Sequence, residues 1–232
     1  MLFLITGANK GLGYEAARRL IEAGHQVIVG ARNPELGQAA ADTLGAAARF
    51  VPLDVTDDAS VKAAAENVTA NEGHLDGLIN NAGVSGPRKA VDDLTAADAV
   101  RVYDTNVFGI IRVTSAFLPL LRKSGSPVIV NVSSGLGSFE QTHREGSMEA
   151  RVVTPIYASS KAAVSMLTSQ YAKALPEIVV NAVDPGFTNT DLTGGAGVQT
   201  VTEGTDAIVA TATIGPGGPT GTFRNRLGEV GW

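Results

Sequence analysis

Tyr157 and Lys161 are the pair in this chain best suited to proton chemistry. Four residues apart, they share one face of a helix. A tyrosine ordinarily titrates near 10, and a neighbouring ammonium group favours its phenolate, each unit of depression being worth about 1.4 kcal/mol. Taken alone, the spacing equally describes an exposed helix pair. A second serine-bearing segment, Asn131-Val132-Ser133-Ser134, closes an apolar run upstream of it.

A different chemistry is written near the start, in Thr6-Gly7-Ala8-Asn9-Lys10-Gly11-Leu12-Gly13. Between a strand and a helix, glycines at 7, 11 and 13 would expose backbone N–H groups at a helix N-terminus, as a pyrophosphate requires. A tight turn alone would also explain three glycines. The end of the second apolar run reads Gly30-Ala31-Arg32-Asn33, with no acid to hold a ribose hydroxyl. Arg32, with Lys10 nearby, suits a 2′-phosphate instead. Two solvated surface cations are the plainer alternative.

These groups need a scaffold, and the hydropathy pattern supplies one. Apolar runs at Leu2–Thr6, Gln26–Gly30, Arg49–Leu53, Leu75–Asn80, Val128–Val132 and Ile178–Val183 lack polar alternation, as strands covered on both faces should. Helical periods lie between them: Leu12, Ala16 and Leu20 ahead of Gly24, then Pro34–Leu44, Asp57–Asn71, Thr95–Leu121 and about Ile156 to Leu175. Strand–helix alternation predicts a doubly wound α/β fold, a parallel sheet of about seven strands with helices on both faces. A last short edge strand is expected around Thr222–Arg224. No linker or repeat divides the chain, so residues 1–232 are read as one domain.

Composition narrows the functions. A net charge of −5 without a basic cluster argues against nucleic acid or anionic membrane as partner. The absence of cysteine excludes disulfides, thiolate metal sites and a cysteine nucleophile. His25, His74 and His143 show no metal-ligand spacing, and no metal is expected. Met1-Leu2-Phe3-Leu4-Ile5 is too short for a signal peptide or membrane span, so a cytoplasmic protein is the expectation.

Taken in order, the glycine loop, Asn80-Asn81-Ala82-Gly83, Ser134, Tyr157 with Lys161, and Asp184-Pro185-Gly186 resemble the signature set of the short-chain dehydrogenase/reductase family. Ala8-Asn9-Lys10-Gly11, Glu203-Gly204 and Gly221-Thr222-Phe223 are similar to its carbonyl reductase branch. The resemblance implies a single-domain Rossmann fold and hydride exchange between NADP(H) and a carbonyl or alcohol substrate. It implies Tyr157 as general acid, Lys161 as the residue that lowers its pKa and holds the nicotinamide ribose, and Ser134 as the hydrogen-bond partner of the substrate oxygen. Asn106 would hold a water in the proton relay. The cofactor would be lined by Gly7, Asn9, Lys10, Gly11, Leu12, Gly13, Arg32, Asp54, Val55, Asn81, Ala82, Gly83, Tyr157, Lys161, Pro185, Gly186, Thr188 and Thr190. Ser133 would bond locally.

Ser134 and Tyr157 stand 23 positions apart, more than in the family's shorter members. The added stretch, Phe139 to Val153, is charged and is expected at the mouth of the substrate pocket. There it would hinder the family's subunit contacts and leave a monomer or a differently arranged dimer. Asp191 to Val201 reads as a mobile substrate loop. The reading is an NADPH-dependent reductase of ketones, aldehydes or quinones. An NAD-dependent alcohol or sugar dehydrogenase on the same site and a non-catalytic dinucleotide sensor are the alternatives, disfavoured by Arg32 and by the complete catalytic set respectively.

Overall fold

A computed structural model describes residues 1–232. The elements are β1 (Leu2–Thr6), α1 (Gly11–Glu22), β2 (Gln26–Ala31), α2 (Pro34–Leu44), β3 (Ala48–Pro52), α3 (Asp58–Asn71), β4 (Gly77–Asn80), α4 (Ala96–Tyr103) and α5 (Gly109–Leu121). There follow β5 (Val128–Val132), α6 (Phe139–His143), α7 (Pro155–Ala174), β6 (Val179–Val183), α8 (Val201–Gly204), α9 (Asp206–Ala212), β7 (Phe223–Asn225) and β8 (Gly228–Glu229).

The strands form one sheet in the order β3-β2-β1-β4-β5-β6-β7-β8. Successive neighbours from β3 to β7 are parallel, and only β8 returns antiparallel to β7. The sheet therefore has eight strands rather than about seven. The extra one is a two-residue return that gives no apolar run to read.

Both sheet faces are covered, which explains the unbroken apolar strands. Leu2 and Leu4 of β1 point into a cluster with Leu78, Phe117 and Leu121. Phe3 and Ile5 point the other way, against Ala16, Leu20 and Ile208. Truncating a fully buried phenylalanine such as Phe117 to alanine would cost about 3–5 kcal/mol.

Several expected boundaries shift by a residue or two, and one helix is broken. Leu75 is buried but bonds the carbonyl of Leu120 instead of a strand, so β4 starts later. Ile178 likewise closes a turn onto Leu175. The helix expected across Thr95–Leu121 is interrupted at Asp104–Phe108 by a π turn, where the N–H of Gly109 reaches the carbonyl of Asp104. Such turns re-aim side chains, and this one carries Asn106. No helix is long and apolar enough to cross a membrane.

Candidate active site

The strand order reverses between β1 and β4, and the loops leaving the C-terminal ends of β1, β2, β3, β4, β5 and β6 all open onto the resulting cleft. Gly7 and Gly11 turn the chain with φ of 65° and 56°, a region that only glycine enters cheaply. The Thr6 hydroxyl accepts the N–H groups of Asn81 (3.0 Å) and Ala82 (2.9 Å), tying the end of β4 to the glycine loop. The Asn81 amide donates back to the Thr6 carbonyl at 2.8 Å.

The cleft has a volume of about 480 Å³. It is lined by Gly7, Asn9, Lys10, Gly11 and Leu12, by Arg32, by Asp54 and Val55, and by Asn81, Ala82 and Gly83. Tyr157, Lys161, Pro185 and Thr190 complete the expected set on its walls. Three expected residues do not line it. A Cβ on Gly13 would stand 2.8 Å from the Gly7 carbonyl, so this glycine serves the close passage of α1 over the loop. Gly186 (φ 72°) is packed under the Gln199 side chain. Thr188 is buried, its hydroxyl within reach of the carbonyls of Pro185 (3.1 Å) and Gly186 (3.3 Å), and it shapes the turn from inside.

At the head of the cleft, Gly137 decides how closely α7 approaches β5. A Cβ there would lie 2.5 Å from the Lys161 carbonyl carbon and 2.7 Å from the Ala162 nitrogen. Ser133 uses its hydroxyl on that same Lys161 carbonyl (3.0 Å) and on Ser165 (3.1 Å), a local role as expected. Beneath them Asn80, Asn131 and Thr168 form a buried chain of hydrogen bonds, each 2.9 Å long. The Ser134 hydroxyl caps the following turn through the N–H of Leu136 and acts on the Tyr157 phenol. Ser134, Tyr157 and Lys161 therefore converge.

Comparison with known proteins follows this geometry. The sequence profile described as short chain dehydrogenase matches residues 2–200. This chain belongs to the short-chain dehydrogenase/reductase family. It is 38% identical to the short-chain dehydrogenase anuI of Penicillium roqueforti, over 100% of this chain and 97% of the relative. It is 33% identical to (−)-isopiperitenone reductase of Mentha piperita, over 95% and 94% of the two chains. The NADPH-bound carbonyl reductase from chicken fatty liver superposes with a TM-score of 0.87 at 31% identity, covering 99% of this chain and 98% of that one. The resemblance to the carbonyl reductase branch holds in both sequence and shape.

In this short-chain dehydrogenase/reductase, Asn106 and Lys161 have well-defined surroundings. Asn106 is buried, and both its amide hydrogens are committed, to the Val84 carbonyl (2.9 Å) and the Ser160 hydroxyl (3.0 Å). Its oxygen takes the Val84 N–H at 2.8 Å. The side chain is a strut holding the segment after Gly83 to α7. Lys161 follows Tyr157 by one turn of α7 and is buried. Its ammonium donates to the Val132 carbonyl at 2.8 Å and stands 5.8 Å from the Tyr157 ring centre. Burial pushes the Tyr157 phenol up to about 12, with Asp184 adding to the rise and Ser134 pulling against it. Burial also brings Lys161 down to about 8, a fall that the Asp184 carboxylate resists.

Residues that the sequence reading passed over also matter. Thr6 and Thr105 were hidden by their ordinary types, although Thr6 stands directly before the glycine loop. Asp191 lines the cleft and pairs with Lys10 at 2.7 Å, a contact 181 positions apart that spans the cleft. Lys10 thus has an acidic partner in a solvent-exposed pair, while Arg32 is exposed and has none. Nothing local marks the Lys10–Asp191 contact in the sequence.

The insertion folds away from the cleft along much of its length. The Ser138 hydroxyl donates to the Gly231 carbonyl at 2.7 Å, and the Glu140 N–H reaches the Trp232 carbonyl at 3.2 Å. Its end returns: Val153 and Thr154 join residues 85–89 and Leu192 around a second cavity of about 510 Å³, which also reaches Ile156, next to Tyr157. The Asp191–Val201 segment is anchored by the Lys10 pair and by a bridge between Thr188 and Gln199.

Proposed function

We propose that this chain is an NADPH-dependent reductase of a ketone, aldehyde or quinone carbonyl, with Tyr157 as the general acid. The observation that carries the reading is the cleft itself, with a proton donor at one end and an unpaired guanidinium, Arg32, at the other. Side-chain-free positions at Gly7 and Gly11 fit a pyrophosphate, and Arg32 fits a 2′-phosphate. The carbonyl reductase and isopiperitenone reductase relatives support the substrate class.

The bound dinucleotide would supply hydride. The chain's own residues supply the rest. A phenol held near 12 keeps its proton across the physiological range, as a donor to a developing alkoxide must. The Ser134 hydroxyl sits beside it as a second donor to that oxygen. Charge on the oxygen is thereby shared between two hydroxyls. An NADPH-oxidation screen over ketones, aldehydes and quinones tests the reading. Turnover with at least one class supports it, and oxidation of alcohols with NAD as the only activity found contradicts it.

A further inference from the structure

The second cavity, about 510 Å³, begins where the cofactor cleft ends. Leu192 lines both, and Val84 and Tyr157 of the cleft adjoin Ser85 and Ile156 of the cavity along the chain. Its rim gathers three exposed apolar side chains, Val91, Val153 and Leu192. Apolar groups left exposed around a concavity mark a ligand groove. No aspartate or glutamate lines the cavity, although the chain carries a net charge of −5. Its two cations are Arg88 and Lys89. Lys89 is taken by Asp98 at 2.8 Å. Arg88 is exposed and pairs with no acid. Its guanidinium crosses to the segment after β6, with its terminal nitrogens 3.2 and 4.0 Å from where a Cβ of Gly194 would stand. Asp191, the acid of that segment, is engaged by Lys10 at 2.7 Å.

We infer that Arg88 selects carbonyl substrates that carry a carboxylate, held in this second cavity while the carbonyl lies at Tyr157. The inference rests on the reading of Tyr157 as the proton donor and narrows its substrate class to oxo acids. A guanidinium presents its N–H groups as a planar fork that matches a carboxylate. One uncompensated cation balances one negative charge, whereas a phosphate monoester, with a charge near −2, would be matched only in part. The apolar body of the substrate would rest on Val91, Val153 and Leu192. Any side chain at position 194 would crowd the guanidinium tips, so Gly194 keeps them open to a ligand. The carboxylate would sit away from the reacting oxygen. Arg88 is therefore a specificity-determining residue and takes no part in the proton transfer.

The test compares para-formylbenzoate with para-formylbenzamide, which has the same shape and no charge. With NADP⁺ present no hydride is available, so binding of each aldehyde can be read by NMR titration without turnover. Wild-type protein should bind the carboxylate about fivefold more tightly, the upper end for an exposed ion pair. That advantage should shrink in high salt. Arg88→Gln, at an exposed position and so expected to fold, should bring the two affinities together. Equal affinities in the wild type, no binding of either aldehyde, or a preference that survives in Arg88→Gln overturns the inference. Where NADPH turnover is found, Arg88→Gln should raise the KM of the carboxylate by the same factor. The two readings fail separately. Carboxylate-selective binding without reduction of any carbonyl upholds the Arg88 site and removes the reductase reading. Reduction of both aldehydes with equal KM does the reverse.

Discussion

The Lys161 ammonium donates a hydrogen bond to the Val132 carbonyl at 2.8 Å and stands 5.8 Å from the Tyr157 ring centre. A lysine buried this deeply, with one carbonyl as its hydrogen-bond partner, carries a desolvation cost that the Asp184 carboxylate offsets only in part. That cost has a measurable consequence for stability.

Burial brings the folded Lys161 to about 8 from an ordinary 10.5. The folded chain therefore sheds this proton before the unfolded chain does, and stability gained from its loss rises with pH between those two values. Below about 8 the charge costs on the order of 3 kcal/mol. Lys161→Met should raise the thermal midpoint at neutral pH while abolishing turnover, and the advantage should shrink as pH climbs. Calorimetry across that window checks it. A variant less stable than wild type at neutral pH would count against the burial cost.

On the proposed reading, Arg32 sets cofactor choice. A charge-assisted hydrogen bond to a 2′-phosphate is worth about 1.5–3 kcal/mol, roughly 10- to 150-fold in KM. Wild-type enzyme should prefer NADPH to NADH in kcat/KM, and Arg32→Asp should invert the order. Equal preference in the wild type would contradict the role.

Much of this was legible beforehand, for identifiable reasons. A strand covered on both faces shows as an unbroken apolar run, so β1, β2 and β5 could be read with nearly correct ends. Gly7, Gly11 and Arg32 stand where strand, loop and helix succeed one another, and local order alone places them in the cleft. What escaped depends on distance. The Lys10–Asp191 pair joins segments that no local pattern relates, and the strut role of Asn106 arises from a π turn invisible to helical periodicity. The raised Tyr157 pKa escaped because spacing predicts proximity, whereas burial and the Val132 carbonyl decide where the lysine points.

The insertion bears on association. Residues 139–153 expose the charges of Glu140, Arg144, Glu145 and Arg151, which are costly to bury unpaired in a subunit interface. A monomer or dimer is the expected state. Light scattering at micromolar concentration checks this, and a stable tetramer would contradict it.

The central claim is that Tyr157 delivers the proton to a carbonyl, and Tyr157→Phe tests it most directly. The ring stays, the hydroxyl goes, and NADPH affinity, read by fluorescence titration, should be nearly unchanged. Carbonyl reduction by NADPH should fall by roughly 10²- to 10⁴-fold, the usual worth of general acid catalysis. A folded variant that binds NADPH and keeps more than about half of wild-type turnover, far outside that range, would remove Tyr157 from the chemistry and the account with it.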